Sequence, residues 1–187
     1  REFSLNTWLY DNGYLVLTEG FNKEPPTGDP RFSVVTIYPP RPGKPSPVDW
    51  SKTRAYGVGF NALYLNLEER ELDDPETTEI ESGIVKKKDK DQLLSEIKQK
   101  LEGVVDPKTG KHPILRCDLA SESYTGSRVS DAPDMLVGYD AGFGNSHASA
   151  TGRIPNELLV DNAPSSHSGK LGTFNGNHLM HPDVVGG

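Results

Sequence analysis

The 187 residues carry 27 acidic against 20 basic side chains, a formal charge of −7, and their 34% hydrophobic content comes with a mean hydropathy of −0.59. No apolar run approaches the length a bilayer demands, and an acidic chain lacks the basic face that counterion release from nucleic acid requires, so a membrane span and a broad nucleic-acid surface are both excluded as expectations. The single cysteine, Cys117, permits no intrachain disulfide, and its setting in Ile114-Leu-Arg-Cys117 reads as a small residue of a half-buried strand.

Taken in chain order, Ser4 to Gly13 reads as a short helix. A cap falls near Ser4 or Asn6, an apolar stripe runs through Leu5, Trp8 and Leu9, and Asn12-Gly13 stops it. Tyr14 to Leu17 reads as a strand. Eight prolines between Pro25 and Pro47 remove backbone donors and predict an irregular surface excursion over about residues 21–49, interrupted by a strand-like Phe32 to Tyr38. Leu63, Leu65 and Leu67 alternate with Tyr64 and Asn66, the period of a strand with unlike faces. The acidic stretch from Glu68 to Glu81 matches no calcium-loop template and reads as a solvated connector.

Leu93, Leu94, Ile97 and Leu101 share one stripe of a helix predicted over Asp89 to Glu102, with Lys86, Lys87, Lys88 and Lys90 as a solvated basic entry. Asp106-Pro-Lys-Thr-Gly110 is a turn, Ile114 to Leu119 a strand, and Met135 to Gly138 a further short strand, all within a helix-containing segment of about 68–132 and its continuation. Strands alternating with helices predict an α/β chain, a mixed sheet with helices on its faces.

The loops carry the chemistry. His178 stands in Gly172-Thr-Phe-Asn-Gly-Asn-His178, where glycines allow a backbone that holds an imidazole at a fixed place, so it is a candidate metal ligand. Ser146 and His147 follow the end of a predicted strand, where open α/β sheets place their sites, and are candidate pocket residues. His181, followed by Pro182, reads as solvent-exposed or bonded to a carbonyl, His167 and His112 as turn residues. Ser146, Ser149 and Ser168 lack an identifiable base and acid, which disfavours a serine triad.

Leu5 to Leu17, Val48 to Leu67, Asp131 to Tyr139 and the Gly-Asn-His loop occur in an order that resembles the C-terminal half of type I phosphodiesterase/nucleotide pyrophosphatase-like proteins of the alkaline phosphatase superfamily. The resemblance runs from about Leu5 to Val185. It implies a fragment of a three-layer sandwich whose N-terminal catalytic half, with its Ser-Asp-His-Gly-type motif, lies before Arg1.

It also implies two divalent metal ions, commonly zinc, held by Asp and His, and a threonine or serine nucleophile acting on a phosphorylated small molecule. His178 is then the one metal ligand within this chain, no catalytic nucleophile lies inside it, and the isolated chain is expected to be inactive. Two departures stand out. Asn177 replaces the Asp or Thr that relatives carry before the histidine, and Gly144 and His147 stand where relatives show arginine and tryptophan. A degenerate, non-catalytic relative, or a structural or ligand-binding domain, is the alternative these departures keep open. Substrate identity, oligomeric state and compartment, cytoplasmic or exported, are not readable from the sequence.

Overall fold

The computed structural model describes residues 1–23, 35–37, 46–71, 80–127, 129, 132–161 and 181–183. Most of the proline-rich excursion, His167, Ser168 and the candidate ligand His178 lie outside the described residues.

The chain opens with strand β1 (Glu2–Phe3) and helix α1 (Leu5–Asp11). Leu5, Trp8 and Leu9 bury one stripe of α1, yet Asn6 and Thr7 are buried as well, so the helix is sunk on more than one side. Its polar residues are satisfied by backbone. Asn6 donates to Gly57 O (3.0 Å) and accepts from Gly57 N (2.7 Å), while Thr7 donates to Pro155 O (2.6 Å). The helix stops as its sequence predicts: Asn12 returns both its backbone N–H and its side-chain amide to Trp8 O, and Gly13 takes a left-handed φ of 71°.

The segment Tyr14 to Leu17 corrects the expectation of a strand. Tyr14 N and Leu15 N both donate to Leu9 O, closing the helix, and Tyr14 O accepts from Arg54 N and Ala55 N. These backbone groups are spent on a bend, so the apolar side chains pack without a ladder; one isolated bridge joins Leu17 to Val48.

Four strands form the main sheet: β2 (Ala55–Val58), β3 (Ala62–Leu65), β6 (Ile114–Leu119) and β7 (Met135–Tyr139), in the order β2-β3-β7-β6. Every pairing in it is antiparallel. The register Gly57↔Leu63, Leu63↔Met135 and Cys117↔Val137 assigns Ala55, Gly57, Leu63, Leu65, Met135, Val137 and Cys117 to one buried face. Helix α1 docks on that face so closely that a Cβ at position 57 would lie 2.8 Å from Leu5 Cδ2.

Helix α2 (Lys90–Glu102) packs against β6 with Leu93, Leu94, Ile97 and Leu101 buried, as its apolar period predicts. Glu102 Oε1 accepts from Cys117 N at 2.8 Å, and Tyr14 Oη donates to Glu96 Oε1 at 2.6 Å, tying α2 to the exit of α1. The opposite face of the sheet carries Tyr56 stacked on Tyr64 (5.6 Å between centroids), Trp50 edge-on to Tyr56 and the Arg70 guanidinium over Tyr64.

The acidic connector contains a ladder that its composition does not announce: β4 (Glu68–Glu71) pairs antiparallel with β5 (Ile80–Ser82). A short helix α3 (Ala120–Ser123) follows β6 directly. The remaining sheet is small and mixed. β1 lies between β8 (Gly144–Asn145), to which it is parallel, and β9 (Leu159–Val160), to which it is antiparallel. The class is therefore mixed α and β with its principal sheet antiparallel.

Candidate functional site

The small sheet positions the predicted pocket residues. Beyond the pairing of Phe3 with Asn145, Ser146 N donates to Phe3 O at 2.9 Å and the chain turns into helix α4 (His147–Ala150). Ser146 is buried and its carbonyl accepts from Ala150 N, so it works as the backbone start of α4. His147 is exposed, and its backbone N–H donates to the Glu2 carboxylate at 3.3 Å. The two residues are adjacent but face different surroundings. Two cavities, of about 560 and 570 Å³, open at the start of α2 and beside His112 and Asp140; neither is lined by Ser146 or His147.

Around the start of β1, Arg1 gathers two carboxylates and a carbonyl. It pairs with Asp106, lies 2.9 Å from Asp161 Oδ1 through Nε, and donates to Leu159 O at 3.0 Å. Asp106 is buried inside its own turn, where Thr109 Oγ1 and Lys108 N also bond it. Arg1 thus joins the turn after α2 to the end of β9, directly before residues 162–180.

The histidine at the far side of those residues is the main finding that sequence reading missed. His181 is buried, 4% exposed, and not the solvated or carbonyl-bonded residue expected. Its Nε2 lies 2.9 Å from Asp118 Oδ2, and Asp183 N donates to its Nδ1 at 3.1 Å. Because Nδ1 accepts the Asp183 N–H hydrogen bond, the ring N–H lies on Nε2 and donates a hydrogen bond to the Asp118 carboxylate. His181 N also donates to Tyr139 O at 3.1 Å.

Arg116 closes the cluster, bonding Asp118 Oδ1 through Nε at 2.7 Å and Asp183 Oδ2 through Nη1 at 3.0 Å. Burial pushes the Asp118 carboxyl up, but the hydrogen bonds from Arg116 and His181 outweigh it and hold the group below the usual carboxylate range. The ring rests on Gly138, where a Cβ would come within 2.6 Å of His181 Cδ2 and 2.8 Å of Arg116 O. Gly138, Arg116 and Asp118 share the half-open face of the sheet. The alternation of charge with Cys117 in β6 was the one local sign of this cluster; its partnership with His181 spans 63 residues and left no mark in the sequence.

Among the described residues no group of three or more His, Cys, Asp or Glu side chains is arranged to hold a metal ion. The described residues therefore offer no complete metal centre of their own. Among them, too, no helix is long and apolar enough to cross a membrane. Cys117 is fully buried, with its thiol pushed far above its ordinary range by burial first and by Glu102 second, which excludes it as a nucleophile. Searched against protein-family models, curated proteins and solved structures, the chain finds no match in any of the three.

Proposed function

We propose that this chain is the C-terminal part of a metal-dependent hydrolase of phosphoric esters, of the phosphodiesterase and nucleotide pyrophosphatase kind within an alkaline phosphatase-like three-layer sandwich. On this reading His178 is its one metal ligand, and the nucleophile and remaining ligands come from residues outside the 187. The bound divalent ions, zinc by this reading, would supply charge neutralisation at phosphorus and a lowered nucleophile pKa.

Within this reading, which rests on the order of the sequence segments, the state of His181 favours His178 over His181 as the ligand. Both of its ring nitrogens are already engaged, one by Asp118 and one by Asp183 N, so it has no lone pair to give a metal. Of the two histidines in the final loop, His178 is the one left for ligation. The departures at Asn177, Gly144 and His147 favour a second reading, a relative that binds a phosphorylated ligand without turnover, since they remove a carboxylate from beside the ligand and large side chains from a pocket loop.

An aryl phosphodiester assay with zinc separates these readings. The protein containing the upstream residues is expected to turn over and to lose activity to a chelator, while residues 1–187 alone show none. Zinc binding without turnover by the longer protein would move the assignment to the non-catalytic relative.

A further inference from the structure

We infer that the cavity at the start of α2 is a binding site for a small amphipathic anion with a carboxylate head and an alkyl body. This stands apart from the hydrolase reading and uses none of its residues. The cavity, about 560 Å³, falls within the roughly 300–1,000 Å³ range of small-molecule sites. Leu67, Leu94, Leu119, Ala120 and Ala132 supply apolar walls.

The polar end is built around Asp134, whose side chain is 2% exposed. Its Oδ2 accepts from Leu65 N at 2.7 Å and pairs with Arg70 Nη2 at 2.5 Å, and its Oδ1 pairs with Lys90 Nζ at 2.7 Å. Both carboxylate oxygens are thus held by cations or N–H groups, and nothing on Asp134 remains to attract a cationic ligand. Two cations on one carboxylate leave one net positive charge at Asp134, while Glu68 and Asp91 against Lys87 leave one negative charge along the rest of the lining, so the anion's head belongs at the Asp134 end.

Arg70 is consumed by this arrangement, since Nη1 also donates to Leu65 O at 3.0 Å. Lys90 is not. Its side chain is 36% exposed, and among the described residues its ammonium has Asp134 as its one partner, leaving N–H donors for a second anion. Exposed Lys87 and Asp91 oppose each other in charge along the same cavity, which Glu68 also lines. A half-exposed ammonium beside an aliphatic wall fits an anion that sets its head at the cavity mouth and its alkyl chain against the wall.

Titration of the 187-residue chain with octanoate, acetate and octylammonium, followed by methyl chemical shifts, tests this. Octanoate is expected to saturate with shifts at Ala120 and Ala132, at least about tenfold tighter than either control. Affinity is expected to rise up to about fourfold per added methylene from hexanoate to octanoate. Lys90→Gln, at a partly exposed position, keeps the fold and is expected to weaken octanoate about tenfold through loss of a charged hydrogen bond. Ala120→Phe fills the cavity and is expected to abolish binding. If that variant does not fold, Lys90→Gln and the probe series still decide. No saturable octanoate binding, acetate or octylammonium as tight as octanoate, or an unchanged affinity in Lys90→Gln overturns the proposal.

Discussion

His181 and Asp118 meet at 2.9 Å across 63 residues of sequence, over a glycine whose missing side chain makes room for the imidazole. The contact fastens the segment after residue 180 to the edge of the main sheet, and most of what can be tested about this molecule radiates from it.

His181→Ala removes a buried ring, leaves a partly buried carboxylate with one fewer donor, and strands Asp183 N–H. A loss of about 2–3 kcal/mol is expected in urea denaturation. This replaces the view, natural from the sequence, that the residue is dispensable. An unchanged midpoint would show that the clasp contributes nothing.

Asp118 is one of several carboxyl groups held low, with Asp49, Glu96, Asp106 and Asp161, and it contributes its share of the pH dependence. Its folded-state pKa is depressed, so its contribution to stability is fully present above the unfolded carboxylate value, about 3.9, and is lost as pH falls through the lowered folded value. Stability of the native chain should fall as pH is lowered below about 4, with Asp118→Asn showing a shallower slope in that window. The two slopes, from urea melts at stepped pH, should differ; coincident curves would exclude Asp118 as a contributor.

Gly138→Ala is expected to cost about 1–3 kcal/mol, because its Cβ would press on His181 Cδ2 and on Arg116 O. Part of that clash disappears when the imidazole is absent. The double variant with His181→Ala should therefore lose less than the sum of the two single losses, whereas additivity would mean that the ring and the glycine are not in contact.

What the sequence made legible was whatever repeats at short range. The stripe Leu93, Leu94, Ile97, Leu101 fixes a helix, and the alternation around Leu63 and Leu65 fixes a strand, because each pattern is set by one element burying one face. Tyr14 to Leu17 misled because its apolar residues are buried by a helix exit whose backbone bonds to Leu9 and Arg54, a tertiary circumstance that propensity cannot carry. The β3–β7 pairing and the His181–Asp118 contact join distant segments and were invisible for the same reason, while the nearer β4–β5 pair is hidden in an acidic run. Ser146 and His147, read from the sequence as candidate pocket residues, follow β8 in the structure, where Ser146 is buried and His147 exposed.

Cys117 offers a simple check of the core. With its thiol fully buried and its ionisation suppressed, it should not react with a disulfide reagent at pH 8 in the folded chain and should react stoichiometrically in denaturant. Rapid native reaction would mean that β6 does not sit beneath α2.

The hydrolase reading turns on which histidine of the final loop ligates metal. Zinc content and aryl phosphodiester turnover, measured together on the longer protein and on its His178→Ala and His181→Ala variants at a temperature where all are folded, address it directly. The account predicts that His178→Ala loses zinc and turnover in parallel, while His181→Ala keeps its zinc per folded molecule despite a lower melting point. Zinc retained at full occupancy in His178→Ala, or lost specifically in His181→Ala, would contradict it.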